Sequence, residues 1–155
     1  LYVGFVIQKQ KLRKTKIAKL KLEKSGKILA NESEVGYIEF DIDRKKNKKF
    51  IATCFEKEDK QLKELLRQVK MPKNFTFIWV DKIYVKQSKR GKGFGAKILK
   101  MLERRHPSNN LVLGLSPGQL VKTSNIDKLI PFYEKLGYQI FSSDEHYYGF
   151  KVIRR

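Results

Sequence analysis

The first half of the chain alternates apolar and polar residues, which is the pattern of half-buried β-strands. The alternation predicts strands over residues 1–8, 17–24 and 34–43. A polar connection with five basic residues follows at 43–49, and residues 49–55 (KFIATCF) are predicted to return as a further strand. These segments together predict an antiparallel meander.

A helical repeat comes next, at residues 59–70. Its apolar side chains recur three and four positions apart, as in an amphipathic helix, at Leu62, Leu65, Leu66 and Val69. Pro72 should end this helix, because the residue before a proline avoids helical geometry. We expect the stripe to belong to the core and to carry no chemistry.

The second half of the chain predicts strands that alternate with helices. Residues 75–85 are aromatic and branched, as in a central strand, and 94–105 carry one apolar face, as in a helix. The remaining predicted elements are a strand apolar on both faces over 109–118, a short helix from about Pro131 to Gly137, and two last strands over 138–143 and 146–154. The chain is therefore predicted to form a single α/β domain over residues 1–155.

The net charge of +19, from 35 Lys and Arg against 16 Asp and Glu, changes the range of partners. Such a balance favours polyanions such as nucleic acid or the ribosome. Lysine accounts for 27 of the 35 basic residues, however, and readers of nucleic acid rely on arginine for bidentate contacts. Codon bias in an AT-rich genome therefore remains an alternative explanation of the charge.

Composition also argues against several classes of protein. Cys54 is the only cysteine and there are two histidines, so we expect neither an internal disulfide nor a metal site. No apolar run approaches the roughly 20 residues that a membrane span needs, and no signal segment opens the sequence. We therefore expect a cytoplasmic protein without a membrane partner.

The sequence KRGKGFGAK, between a predicted strand and a predicted helix, is suited to binding an anion. Glycines there expose backbone N–H groups at a helix N-terminus, where phosphate commonly binds. A nucleotide-hydrolysing P-loop is disfavoured, because Ala96 and Ile98 stand where that motif needs glycine and Ser or Thr. A dinucleotide fold is disfavoured as well, because five residues separate strand from glycine and the next strand, LVLGLS, has no acidic residue.

Two motifs resemble the GNAT superfamily of N-acetyltransferases. Arg90-x-x-Gly93-x-Gly95 is similar to that superfamily's acetyl-CoA loop, and FYEKLGY at 132–138 is similar to its C-terminal FYEKLGF segment. The resemblance implies a mixed, mostly antiparallel sheet that splays open between two parallel central strands, with acetyl-CoA in the opening. The residues implied to bind acetyl-CoA are Tyr84, Val85, Lys89, Arg90, Gly91, Lys92, Gly93, Phe94, Gly95 and Ala96, with the amides of residues 90–96 around the pyrophosphate.

The resemblance also implies catalytic roles for two residues in direct attack of an amine on the thioester. Tyr133 matches the tyrosine that serves as general acid toward the thiolate, and its structural alternative is a core tyrosine. Asp81 is a candidate general base, expected by period two to share a strand face with Val85. A carboxylate paired with a lysine, or a water chain without a dedicated base, are the alternatives.

The N-terminal segment departs from the superfamily pattern. Two helices often lie between its first two strands, whereas residues 9–34 here predict strand and turn, so the amine acceptor does not follow from the resemblance. Nine basic residues in 9–27 and nine in 82–105 indicate a positive surface, which favours an acceptor that is acidic or carried on a polyanion. The alternative is a non-catalytic basic domain that binds nucleic acid.

Overall fold

The structure, a computed structural model, describes residues 19–55, 60–117, 126–143 and 146–155. These residues form one seven-stranded sheet with the strand order β1-β2-β3-β4-β5-β7-β6, covered by helices. The strands are β1 Leu20–Leu22, β2 Lys27–Ala30, β3 Ser33–Lys46, β4 Phe75–Val85, β5 Asn110–Leu115, β6 Gln139–Ser142 and β7 Tyr147–Arg154. The helices are α1 Lys48–Phe55, α2 Leu62–Leu66, α3 Phe94–Arg105 and α4 Ile126–Lys135.

The sheet is mixed and mostly antiparallel, as predicted. Only β4 and β5 run parallel to one another, and the other five pairings are antiparallel. The strand predicted over 75–85 is found with those bounds, and the predicted helix 94–105 likewise. The α/β fold class is therefore confirmed.

Helices on both sides of the sheet create two apolar cores. On one side, α3 and α4 cover the sheet with residues such as Ile98, Leu102 and Tyr133, all buried. On the other side, α1 and α2 contribute Ile51 and Leu66, again buried. We refer to these sides as the α3/α4 face and the α1/α2 face.

The strand predicted over 49–55 is wrong, because these residues form helix α1. The Asn47 side-chain oxygen accepts a hydrogen bond from the Phe50 amide at 3.1 Å and so caps the first turn. The edge of β3 that this segment was predicted to occupy is taken by β4, which pairs with β3 from Gly36 to Lys46. A downstream strand rich in aromatic and branched residues thus displaced the local hairpin.

Other predicted boundaries shift. The helix predicted over 59–70 is regular only over Leu62–Leu66, although Leu62, Leu66 and Val69 are buried as expected. Within the predicted strand 17–24 the structure describes β1 from Leu20, and strand β2 was not predicted. The predicted strand 1–8 lies outside the described residues.

The helix predicted to begin near Pro131 already includes Ile126, so Pro131 lies inside α4. Proline is disfavoured there, because its nitrogen cannot donate to the carbonyl four residues earlier. The preceding residues nevertheless extend the helix, since Leu129 packs against the core of the α3/α4 face. Burial of an apolar side chain thus overrides the local preference.

Candidate active site

The glycine loop ends in a helix N-terminus without a cap. Gly91 and Gly93 have φ of 74° and 81°, a region in which only glycine is free of strain. Helix α3 starts at Phe94, no side chain caps it, and its first turn holds no acidic residue. The first helical bond is donated by the Lys97 amide to the Gly93 carbonyl at 3.2 Å, which leaves the four preceding N–H groups without a helical partner.

Gly91 and Gly95 of the loop serve different purposes. Around Gly91 there is open space, whereas a side chain on Gly95 would lie 3.3 Å from the ring of Phe132 on α4. Gly95 therefore lets α3 approach α4, and it brings the two sequence motifs into contact. The combination of positive φ and open space at Gly91 is the feature that leaves the loop accessible to a ligand.

Arg90 is bound to the end of β4. Its Nε donates to the Val85 carbonyl oxygen at 3.0 Å, and its guanidinium lies 5.5 Å from the centre of the Tyr84 ring, which in turn stacks on Tyr37 at 5.2 Å. The Arg90 amide donates to the Gln87 carbonyl at 3.2 Å. The Arg90 amide, predicted to bind the pyrophosphate together with the amides of residues 91–96, is therefore already hydrogen-bonded within the loop.

Strands β4 and β5 part in front of this loop. They pair over five positions, from Thr76 with Leu111 to Val80 with Leu115. Beyond Val80, β4 continues to Val85 with β3 alone beside it, because the β4–β5 pairing has ended. One edge of this last part of β4 therefore has no strand beside it among the described residues.

A β-bulge occurs at the position where the strands part. Lys82 pairs with Glu39 and Val80 with Phe40, so that Asp81 is the extra residue. The bulge overturns the expectation from period two that Asp81 shares a face with Val85. Val85 packs against the core of the α3/α4 face, whereas the Asp81 carboxyl is hydrogen-bonded to the Asp41 carboxyl.

The Asp81 carboxyl is in a partly desolvated, negatively charged setting. Burial raises its pKa, and hydrogen bonding to the Asp41 carboxyl and repulsion from it raise that pKa further, while Trp79 acts in the opposite direction. Glu39 adds a smaller repulsion. A carboxylate whose pKa is raised is a stronger base than an ordinary aspartate.

Tyr133 lies on α4 within the core of the α3/α4 face. It is 6% exposed, and its ring packs edge-on against Phe132 and Tyr138 at 5.1 and 5.7 Å. Burial raises the pKa of its phenol to about 12, so the hydroxyl keeps its proton at neutral pH. The structure thus puts Tyr133 on the same face as the glycine loop.

The sequence analysis missed Asp41 and Glu39 as neighbours of Asp81. Their signal was present, since E-F-D-I-D puts three acidic residues at alternate positions of a strand in a strongly basic chain. It was interpreted only as the polar face of a strand. Their closeness to Asp81 depends on the register between β3 and β4, which no local pattern encodes.

The described residues contain neither a metal site nor a membrane-spanning helix. No group of three or more His, Cys, Asp or Glu residues in the described ranges is arranged to hold a metal ion. None of the helices described is long and apolar enough to cross a membrane.

Comparison with known proteins identifies the family. Residues 24–140 match the family described as acetyltransferase (GNAT) domain. A search of curated proteins gave no match.

The fold recurs in solved structures of low sequence identity. An agmatine N-acetyltransferase is 11% identical, over 82% of this chain and 75% of that chain, with a TM-score of 0.51. The Drosophila melanogaster polyamine N-acetyltransferase is 12% identical over 83% and 73%, with a TM-score of 0.46. The Pyrococcus horikoshii protein PH1933 is 16% identical over 83% of this chain, which spans 64% of that protein, with a TM-score of 0.44. The chain belongs to the GNAT family of acetyltransferases, and the predicted enzyme class, an acetyltransferase, is confirmed.

Proposed function

We propose that the chain transfers an acetyl group from acetyl-CoA to a primary amine by direct attack, with the glycine loop holding the pyrophosphate. The observation that carries this proposal is the uncapped N-terminus of α3 beyond the point where β4 and β5 part. The amides of residues 91–96 and the positive end of the helix dipole would stabilise two phosphate charges. Lys89 and Lys92 would add compensating charge.

The free edge of β4 suits the pantetheine arm. Lys86 donates its amide to the Val35 carbonyl at 2.8 Å, so alternate residues of this part of β4 face β3. Ile83 and Val85 therefore direct their backbone groups to the open side. The Val85 carbonyl already accepts a bond from Arg90, so we assign the pantetheine amides to the remaining groups of this edge.

Asp81 and Tyr133 would act on opposite sides of the reacting thioester. In the transfer, the amine nitrogen bonds to the acetyl carbon while the carbon–sulfur bond breaks. Asp81 would take the proton that the ammonium or amine loses, a role that its raised pKa favours. Tyr133 would donate to the leaving sulfur.

The phenol of Tyr133 is a weak acid for that role, because burial raises its pKa to about 12. A thiol in water has a pKa near 8.5, so full proton transfer would be unfavourable if only the phenol were buried. The same desolvation raises the pKa of the departing thiol, which reduces the mismatch. We therefore assign to Tyr133 a hydrogen bond that strengthens as charge develops on sulfur.

The acceptor is proposed to be a primary amine on an acidic or polyanionic carrier, such as an aminoacylated tRNA or a ribosomal protein. Two features support this proposal. The net charge of +19 favours the carrier, while the carboxylates of Asp81, Asp41 and Glu39 favour the cationic amine itself. A non-catalytic nucleic-acid module would have no use for the arrangement around Asp81 and Tyr133.

Calorimetric titration with acetyl-CoA tests the cofactor site. Gly93→Glu puts a carboxylate and a side chain into the proposed cradle, and Lys92→Glu reverses one exposed charge without changing a glycine. Lys63→Glu, exposed on α2, is the matched control. We expect binding by the parent and the control and much weaker binding by both loop variants. Equal affinity for all four proteins would refute the cradle.

A further inference from the structure

An open groove of about 750 Å³ lies between strand β1 and the outer side of helix α3. Five of its eight lining residues are basic and none is acidic; the lining consists of Lys19, Leu20, Leu22, Lys97, Lys100, Met101, Arg104 and Arg105. The described part of the basic segment 9–27, which starts at Lys19, thus meets the basic segment 82–105 along one surface. We call this surface the basic groove.

Three cations of the basic groove have no ionic partner among the described residues. Lys19, Lys100 and Arg104 form no ion pair with any of them. The one acidic residue of α3, Glu103, bonds instead to Lys151 on β7 at 2.7 Å and is only 14% exposed. Glu103 therefore pairs with a cation beneath helix α3. The side of α3 that lines the basic groove carries basic residues and no acidic one.

The spacing of the cations fits a row of anions better than a single phosphate. Lys97, Lys100 and Arg104 occupy positions i, i+3 and i+7 of one helix and so span about 10 Å along its axis, at 1.5 Å per residue. Phosphates of one nucleic acid strand recur about every 3.4 Å along a duplex axis, so several fall within that span. A single terminal phosphate would engage one or two of these side chains.

The apolar part of the groove indicates what kind of polyanion it contacts. Leu20, Leu22 and Met101 form it, and no aromatic residue is among the lining residues. Unpaired bases need aromatic platforms to stack on, and protein interfaces are enriched in buried aromatic anchors. Contact through Lys and Arg without aromatic residues is typical of the sugar-phosphate backbone of a folded, base-paired nucleic acid.

A second groove, of about 530 Å³, connects this surface with the proposed base. It shares Leu22 and Arg105 with the basic groove and extends to Asp41 and Asp81. This groove forms because β2 pairs with β3 only as far as Tyr37, and no other described strand lies on that side of the next part of β3. An amine held near Asp81 could thus belong to a molecule that lies in the basic groove.

We propose that the basic groove binds the phosphodiester backbone of a folded RNA and that this RNA carries the acceptor amine, as an aminoacylated RNA does. The binding surface stands on the geometry of the groove alone. The delivery of the amine rests on the proposed function. The two parts can therefore fail separately.

The test measures binding of a short labelled RNA duplex by fluorescence polarisation in the absence of acetyl-CoA. The variant Lys100→Glu/Arg104→Glu reverses two charges of the groove, and Lys63→Glu/Lys73→Glu reverses two exposed charges elsewhere as the matched control. We expect the groove variant to bind at least about tenfold more weakly. The slope of log affinity against log salt should fall by about two in that variant and little in the control.

Three outcomes would overturn the proposal that the basic groove binds RNA. They are no RNA binding by the parent, an equal loss of RNA affinity in both double variants, and displacement of the RNA by polyglutamate of the same total charge. The last outcome would indicate an acidic protein as partner instead. Delivery of the amine is measured separately, by acetylation of an aminoacylated RNA. If the parent binds RNA but does not acetylate the aminoacylated RNA, the delivery of the amine is refuted and the binding surface is not. If the parent does not bind acetyl-CoA, the proposed function is refuted, but the proposal that the basic groove binds RNA is not affected.

Discussion

The two faces of the sheet differ in how well their structure follows from local sequence. On the α3/α4 face the predicted helix α3 and both motifs are found where expected, and they touch through Gly95 and Phe132. On the α1/α2 face a predicted strand is a helix, and the predicted helix of 12 residues is regular over only five. The first face depends on signals within a few residues, whereas the second depends on which strand occupies the edge of β3.

Two regions of the molecule also differ in charge. The basic groove and the glycine loop belong to α3, while Asp41 and Asp81 lie close together across β3 and β4. A net charge of +19 conceals this division, because net charge sums over the whole surface. An enzyme that acetylates a cationic amine on an anionic carrier needs a negatively charged region to bind the amine and a separate positively charged region to bind the carrier.

The largest expected effect is on kcat, and it should distinguish Tyr133 from Tyr138, the other buried tyrosine of the α3/α4 face. Tyr133→Phe should lower kcat by about 10²- to 10⁴-fold, because it removes the donor to the leaving sulfur. Tyr138→Phe removes a hydroxyl from the ring that packs against Tyr133, so it is the matched control. It should leave kcat within a few-fold of the parent. Steady-state rates with saturating acetyl-CoA decide the matter. A Tyr133→Phe enzyme with normal kcat would return Tyr133 to a purely structural role.

A second prediction tests the corrected element on the α1/α2 face. Ile51→Ala should lower the free energy of unfolding by about 2–5 kcal/mol, since Ile51 is fully buried. Thr53→Ala should cost much less, because helix α1 leaves Thr53 exposed. In a strand the two residues would share a face, so comparable losses in urea titrations would favour the strand over the helix.

A third prediction concerns a buried hydroxyl group. Tyr138 is 3% exposed, and its hydroxyl is buried without a hydrogen-bond partner among the described residues. Tyr138→Phe removes that unsatisfied group and should raise the free energy of unfolding by about 1 kcal/mol. Denaturant midpoints measure the change. A loss of stability would mean that the hydroxyl has a partner in solution.

The smallest expected effect concerns Asp81 and pH. Its pKa is raised in the folded state, so the folded protein is stabilised by protonation and loses that stability as pH rises through the raised pKa. Asp81→Asn should therefore melt slightly above the parent at pH 7, and the difference should vanish below the unfolded pKa of about 4. Melting curves from about pH 3 to pH 7 measure this difference. A variant less stable than the parent at pH 7 would indicate that ionised Asp81 has a stabilising partner.

The same substitution has a second readout in activity. If Asp81 is the base, Asp81→Asn should lose acetyl transfer while it gains stability, a combination that a structural carboxylate would not produce. The parent's rate should fall as pH is lowered through the raised pKa of Asp81, and the variant should lack that dependence. An unchanged pH profile in the variant would favour a water chain without a dedicated base.

The sequence by itself determined the features that are encoded locally. Gly91 and Gly93 occupy a backbone region that other residues avoid, and the apolar face of 94–105 has a helical period, so the loop and helix α3 could be predicted within their bounds. The same holds for the strand 75–85 and for the two motifs that identified the family.

Only the tertiary structure decided which segments lie side by side. The pairing of β3 with β4 turned residues 49–55 into a helix, and the bulge in that pairing separated Asp81 from the face of Val85 and brought it to Asp41. The end of β2 pairing at Tyr37 opened the groove that reaches those carboxylates. Strand register is a contact between distant segments, and its free energy comes from the burial of both partners, which is why no local pattern contains it.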